Sequence, residues 1–167
     1  NADVEAGYAL ALESMRSSKW QVAAGQLEAV TAQNETLAGP WLNLGIARSK
    51  LGDAERAEAA LQQAIDLNHA RPDACNLLGI LYRQAGRFDD ARKQYEQALA
   101  RQPDYADAHW NLGILHELYL QQPQQALHHY TRYRQLTGSD DHKLQLWIEQ
   151  LKPATGNRTV TAGVRNP

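Results

Sequence analysis

Six histidines and one cysteine are the side chains in this sequence with the most chemistry to offer. His128 and His129 are adjacent, so on a helix they diverge by about 100° and cannot easily share an ion. His109 and His116 lie seven residues apart and share a helical face, yet no cysteine or carboxylate at ligand spacing completes a site around them. Cys75, the single cysteine, excludes an internal disulfide and a cysteine-based zinc site, and it reads as a small buried filler rather than a reactive thiol. No nucleophile motif, phosphate-cradling loop or metalloprotease signature is present. Glu and Asp neighbours are too common in a charged helical chain to mark an acid–base pair. The expectation is no metal, no cofactor and no catalysis, and attention passes to the elements that carry these residues.

Those elements repeat. Sliding the chain by 34 residues superimposes Leu10, Leu44, Leu78 and Leu112, each followed by a small residue: Ala11, Gly45, Gly79 and Gly113. Thirteen residues after the leucine stand Ala23, Ala57 and Ala91, with Ala126 one place late. Leu27, Leu61, Tyr95 and Tyr130 follow four further on, then Val30, Ala64, Ala98 and Tyr133 after three more. Spacings of three and four place these residues on one face of a helix. A small residue lets the first helix of a pair approach the second, and the large residue fills the gap between them. One pair cannot bury both of its faces, so neighbouring pairs must stack.

The residues resemble the tetratricopeptide repeat family. Trp41-Leu42-Asn43-Leu44-Gly45 with Gly52, Ala57, Leu61 and Ala64 matches its pattern, as does Leu78-Gly79 with Tyr82, Gly86, Ala91, Tyr95, Ala98 and Pro103. The first repeat is worn, with Gly7 and Ser14 at the usual Trp and Tyr positions, and the fourth has His109 and His116 there. The resemblance implies an all-α fold: a right-handed α-solenoid of four helix pairs (4–37, 38–71, 72–105, 106–139) and a capping helix over 140–151. Residues 1–3 read as a cloning scar or leader. Gly52 and Gly86 are expected to close first helices, Asp53 to cap a second one, and Pro123 to open the last. Ser139 or Asp140 is expected to cap the final helix and Pro153 to stop it.

The resemblance also implies a binding face, the concave groove lined by first helices. Carried over position by position, its residues are Tyr8, Leu12, Asn43, Ile46, Asn76, Ile80, Arg83, Trp110, Asn111 and Ile114. An asparagine amide both donates to and accepts from an extended backbone, so Asn43 and Asn111 suit a peptide whose side chains go unread. Trp110 stands one place beyond the usual core Trp, where it can serve as an aromatic anchor. Family members that clamp a C-terminal carboxylate use a Lys/Asn/Asn/Lys/Arg set. Only Asn43 matches it here, with Tyr8, Leu12, Asp73 and Leu77 at the other positions, so that clamp is not expected.

Composition narrows the partner. At 43% hydrophobic and 22% charged residues the chain has the balance of a folded domain, and no stretch approaches the roughly 20 apolar residues of a membrane span. The groove offers Arg16, Lys50 and Arg83 against Glu5, Asp73, Asp107 and Glu117, which is wrong for phosphate tracking, so no nucleic acid is expected. Residues 152–167 carry +3 in a chain of net charge −2 and read as a disordered basic tail. Residues 157–166 are expected to occupy a groove, their own or a neighbour's, with Arg158 or Arg165 meeting Asp73, Asp107 or Glu117. The function expected is an adaptor that binds an extended peptide or partner helix. The alternative is an assembly unit that self-associates through its ends, convex faces or tail. The sequence style resembles bacterial envelope repeat proteins, and a periplasmic or envelope-anchored location is the expectation.

Overall fold

The computed structural model describes residues 2–69 and 71–156, with side chains as far as Lys152, and falls into two compact units, 1–101 and 102–167. The basic segment 157–166 and its expected groove contact lie outside the described residues. Every regular element is helical among the described residues. The first unit holds α1 (Ala2–Arg16), α2 (Trp20–Gln33), α3 (Ala38–Lys50), α4 (Ala54–Leu67), α5 (Pro72–Gln84) and α6 (Phe88–Arg101). The second holds α7 (Ala106–Ile114), a π-helical turn continuing it (Leu115–Tyr119), α8 (Pro123–Thr137) and α9 (His142–Gly156). Within each unit, successive helices pack as antiparallel neighbours joined by short turns.

The pairing rests on the small residues found by the period. An alanine Cβ at Gly45 would lie 2.6 Å from Leu61, at Gly79 2.5 Å from the Tyr95 ring, and at Gly113 2.4 Å from the Tyr130 ring. Only hydrogen leaves room for the partner, so each glycine sets how closely its two helices approach. Ala23, Ala57, Ala91 and Ala126 are fully buried on the opposite side of the same seams. Leu44, Leu78 and Leu112 are buried, whereas Leu10, which shares their register, is 61% exposed. No earlier helix of the described residues lies against α1 to cover it.

Each pair turns through one residue in the left-handed region: Ser18, Gly52, Gly86 and Gln121, at φ 55°, 77°, 75° and 52°. In the first three turns the next amide reaches back five residues, Lys19 to the Ser14 carbonyl, Asp53 to Arg48 and Arg87 to Tyr82. In the fourth, Gln122 reaches back six, to His116, at 2.8 Å. That extra residue is the insertion that delays Ala126, and the π-helical turn at Leu115–Tyr119 absorbs it before α8 resumes the pattern.

Caps follow local chemistry, with two departures from expectation. Asp53 accepts from the Arg56 amide at 3.3 Å, and Pro123 opens α8. The final helix is capped by Asp141, whose Oδ1 accepts from the Lys143 amide at 2.8 Å, not by Ser139 or Asp140. Ser139 instead accepts from the Asp141 amide, which places Asp141 at the cap. Nor does Pro153 stop α9, which runs to Gly156. Pro153 lacks the amide that would bond the Glu149 carbonyl, and with only three residues of α9 beyond it the helix carries through with that one hydrogen bond missing.

Candidate functional site

In the first unit the first-helix residues of α1, α3 and α5 form one continuous set of contacts. Asn43 Nδ2 donates to the Tyr8 hydroxyl at 2.6 Å, tying α3 to α1, and Gly39 leaves room for that hydroxyl. The Asn43 amide is therefore half spent on Tyr8, leaving its oxygen and one N–H for another partner. Leu12 is half-buried on the same helix as Tyr8. Asn76, expected beside them, is only 5% exposed, so its amide belongs to the packing of α5.

Between α3 and α5 lies a cleft of about 340 Å³ whose lining includes Ile46, Leu77, Ile80 and Leu61, with Ser49, Lys50 and Gln84 at its polar edge. Gly45 forms part of its lining, where the missing side chain admits Leu61. Lys50 is the one charged side chain in that lining. It lies 6.0 Å from the Trp20 ring and forms no ion pair among the described residues. Arg83, one residue before Gln84, is half-buried and likewise without an ion pair there. The acids of this region are occupied: Asp73 is bridged by Arg71 at 2.6 Å, and Arg71 with the Ala74 amide holds its carboxyl below the usual range against the opposing effect of burial. Of the cleft's residues, Ile46 and Ile80 are among those the sequence assigned to the groove. Lys50 is the groove cation that the sequence also named, and Leu77, Ser49 and Gln84 stand at repeat positions that line it.

In the second unit, Trp110, Asn111 and Ile114 sit together on α7. Trp110 is half-buried, its ring 5.0 Å from Tyr133, 5.4 Å from Tyr130 and 5.9 Å from Trp147 of α9. Ile114 packs against the same cluster, whose buried members include Ala126, Tyr130, Leu144 and Ile148. Much of the Trp110 surface is thus engaged by α8 and α9. Asn111 is 7% exposed and its amide lies within the helix packing.

The remaining chemistry-bearing residues have structural partners. Cys75 is buried and accepts from Arg101 Nη1 at 3.0 Å; burial pushes its thiol up from the ordinary value, so it stays protonated and unreactive. Tyr82 donates to Glu58 at 2.9 Å, and burial followed by that bond raises its phenol. His109, His116 and His129 meet between α7 and α8, but no group of three metal-capable side chains has ligand geometry among the described residues. No helix among them is long and apolar enough to cross a membrane.

Comparison with known proteins agrees with this architecture. Residues 38–70 match a family model described as a tetratricopeptide repeat, and residues 79–118 match one described as a TPR repeat. Among solved structures, MamA is similar at a TM-score of 0.76 and 25% identity, over 81% of this chain and 78% of that one. YrrB, a TPR protein with an unusual peptide-binding site, is similar at 0.73 and 22%, over 88% and 74%. PilF of Pseudomonas aeruginosa reaches 0.79 at 16% identity, over 92% and 69%. Tetratricopeptide repeats serve as protein-interaction scaffolds and are generally not enzymes. Residues 38–70 and 79–118 thus match tetratricopeptide repeats, and the glycines within them that stand at helix-pair contacts, Gly45, Gly79 and Gly113, fit that match.

Proposed function

We propose that the first unit is a peptide-binding adaptor, without catalytic activity, that takes an extended segment of a partner protein across α1, α3 and α5. The observation that carries this reading is the α3–α5 cleft, apolar along Ile46, Leu77 and Ile80 and edged by Lys50. Its chemistry selects an aliphatic side chain next to an acidic one. The aliphatic group fills the floor, and the carboxylate meets an ammonium that no acid of the described residues pairs with. The free oxygen and N–H of Asn43 provide backbone pairing one helix away. An internal acidic side chain is the intended partner rather than a chain-terminal carboxylate, because Tyr8, Leu12, Asp73 and Leu77 replace the groups a terminal clamp needs.

Selection from a random peptide library on the intact chain tests the reading. Recovered sequences should share an aliphatic–acidic pair and bind with an amidated C-terminus. Burying one such aliphatic side chain is worth roughly 1.5–3 kcal/mol, so Ile80→Glu should weaken them by about 10- to 100-fold. Peptides that bind the wild type and Ile80→Glu equally would refute the proposal.

A further inference from the structure

Three imidazoles meet in the α7–α8 pair of the second unit. His109 stands on α7, His116 on the π-helical turn and His129 on α8; the first two are buried and the third half-buried. Their protons are assigned by their partners. His109 Nε2 lies 3.0 Å from the Pro103 carbonyl oxygen, which only accepts, so that nitrogen carries the hydrogen. Neutral His109 then has a bare Nδ1, and it lies 3.0 Å from Nδ1 of His129, which must donate. His116 Nδ1 donates to Gln122 Oε1 at 2.8 Å, and its ring stacks on His129 with centroids 5.5 Å apart and planes 2° from parallel. The network runs one way, from His129 to His109 to the backbone.

An added proton has no good place in it. On His109 it would occupy Nδ1 and face the N–H of His129, breaking the link between the helices. On His129 it would occupy Nε2 and keep the bond to His109, but it would place a cation in a half-buried position face to face with the His116 ring. Among the described residues the charges acting on His109 are Arg132 and His128, and those acting on His129 are His109, His116 and His128, with no carboxylate among them. Glu117, on the turn, accepts from the Tyr130 hydroxyl at 2.7 Å, and Asp107 of α7 is exposed. From α9, packed on α8 through Leu144 and Ile148, the titratable His142, Lys143, Glu149 and Lys152 are all exposed, the last two paired to each other. Burial first, and then these positive neighbours, lower His109 and bring His129 to about 3.

We propose that the α7–α8 pair is an acid-sensitive joint, closed while His109 and His129 are neutral and loosened when the medium becomes mildly acid. The second unit would then release its packing under conditions that leave the first unit folded, separating adaptor binding from whatever α7–α9 hold.

Amide hydrogen exchange on the full chain at pH 7.5 and pH 5.0, corrected for intrinsic rates, tests this. Protection over residues 106–137 should fall about 10-fold or more while residues 38–67 hold within about 3-fold. His129→Gln keeps a donor toward His109 and removes the titration, so its protection at pH 5.0 should exceed that of the wild type by about 5-fold. Should that variant fail to fold, ring NMR of the wild type decides: His109 and His129 must stay neutral in the native chain down to pH 5. Equal loss in both stretches, no loss, or either ring protonating above pH 6 overturns the proposal.

Discussion

Replacing Gly79 by alanine probes the packing rule on which the fold rests. The new Cβ would lie 2.5, 2.7 and 3.0 Å from three atoms of the Tyr95 ring, where carbon atoms normally rest about 3.5–4.0 Å apart. Tyr95 is fully buried between its neighbours and cannot swing aside, so α5 and α6 must separate. Overpacking of this kind costs about 1–3 kcal/mol, against a helix-propensity gain of up to ~1 kcal/mol for alanine over glycine. The net expectation is a loss of about 1–2 kcal/mol. Gly25, on α2, has nothing within 4 Å of the place an added methyl would take, so Gly25→Ala should gain about 0.5–1 kcal/mol from propensity alone. Urea unfolding followed by circular dichroism at a helical wavelength reads both. In a Tyr95→Val background, where the ring atoms are gone, Gly79→Ala should become neutral or stabilising. The reasoning fails if Gly79→Ala is as stable as wild type, or if its cost persists without the ring.

Other expectations follow from particular residues. Gln121 and Ser18 hold left-handed backbone that glycine holds at Gly52 and Gly86, so Gln121→Gly should raise the unfolding midpoint by the equivalent of about 1 kcal/mol, and Gly86→Ala should lower it similarly. Because His109 and His129 sit below the ordinary 6.5, their contribution to stability is complete above that pH and is lost as pH falls below it, for His129 down to about 3, since over that range only the unfolded chain takes up the protons. After discounting for the half-exposed His129, thermal unfolding should report a loss of about 1.5 kcal/mol between pH 7 and pH 5. Trp110→Ala should cost about 2–4 kcal/mol and free α9, read as increased exchange over residues 142–152 and a change in Trp147 fluorescence.

The repeat was legible because the glycine or alanine beside each leucine and the leucine or tyrosine sixteen residues after it, seventeen in the last repeat, are each half of one contact: Gly79 and Tyr95 are separated in sequence but meet at the seam. The insertion was legible as a one-place delay of Ala126. Its position was not, since counting residues between recurring positions does not say which turn widens; the backbone places it at Leu115–Tyr119. The sequence pointed to Ser139 or Asp140 as the cap of α9 and passed over Asp141, because three adjacent capping side chains look alike until the turn bonds choose among them. At the site, first-helix positions found Ile46 and Ile80, whose side chains depend mainly on helix register. They could not tell that Asn43 bonds Tyr8 or that Asn76 and Asn111 turn inward, because those outcomes depend on the rotation of one helix against the next. The histidine network was invisible for the same reason: its members come from two helices and a turn, and only their packing brings His129 to His109.

The central claim is that the α3–α5 cleft receives a peptide. Methyl NMR on the intact chain, titrated with a selected, C-terminally amidated peptide carrying an aliphatic–acidic pair, tests it most directly. The largest shifts should fall on Ile46, Leu77 and Ile80, with Ile65 of α4 and Leu144 and Ile148 of α9 nearly unmoved. Shifts concentrated on Leu144 and Ile148, with Ile46 and Ile80 unchanged, would contradict the account.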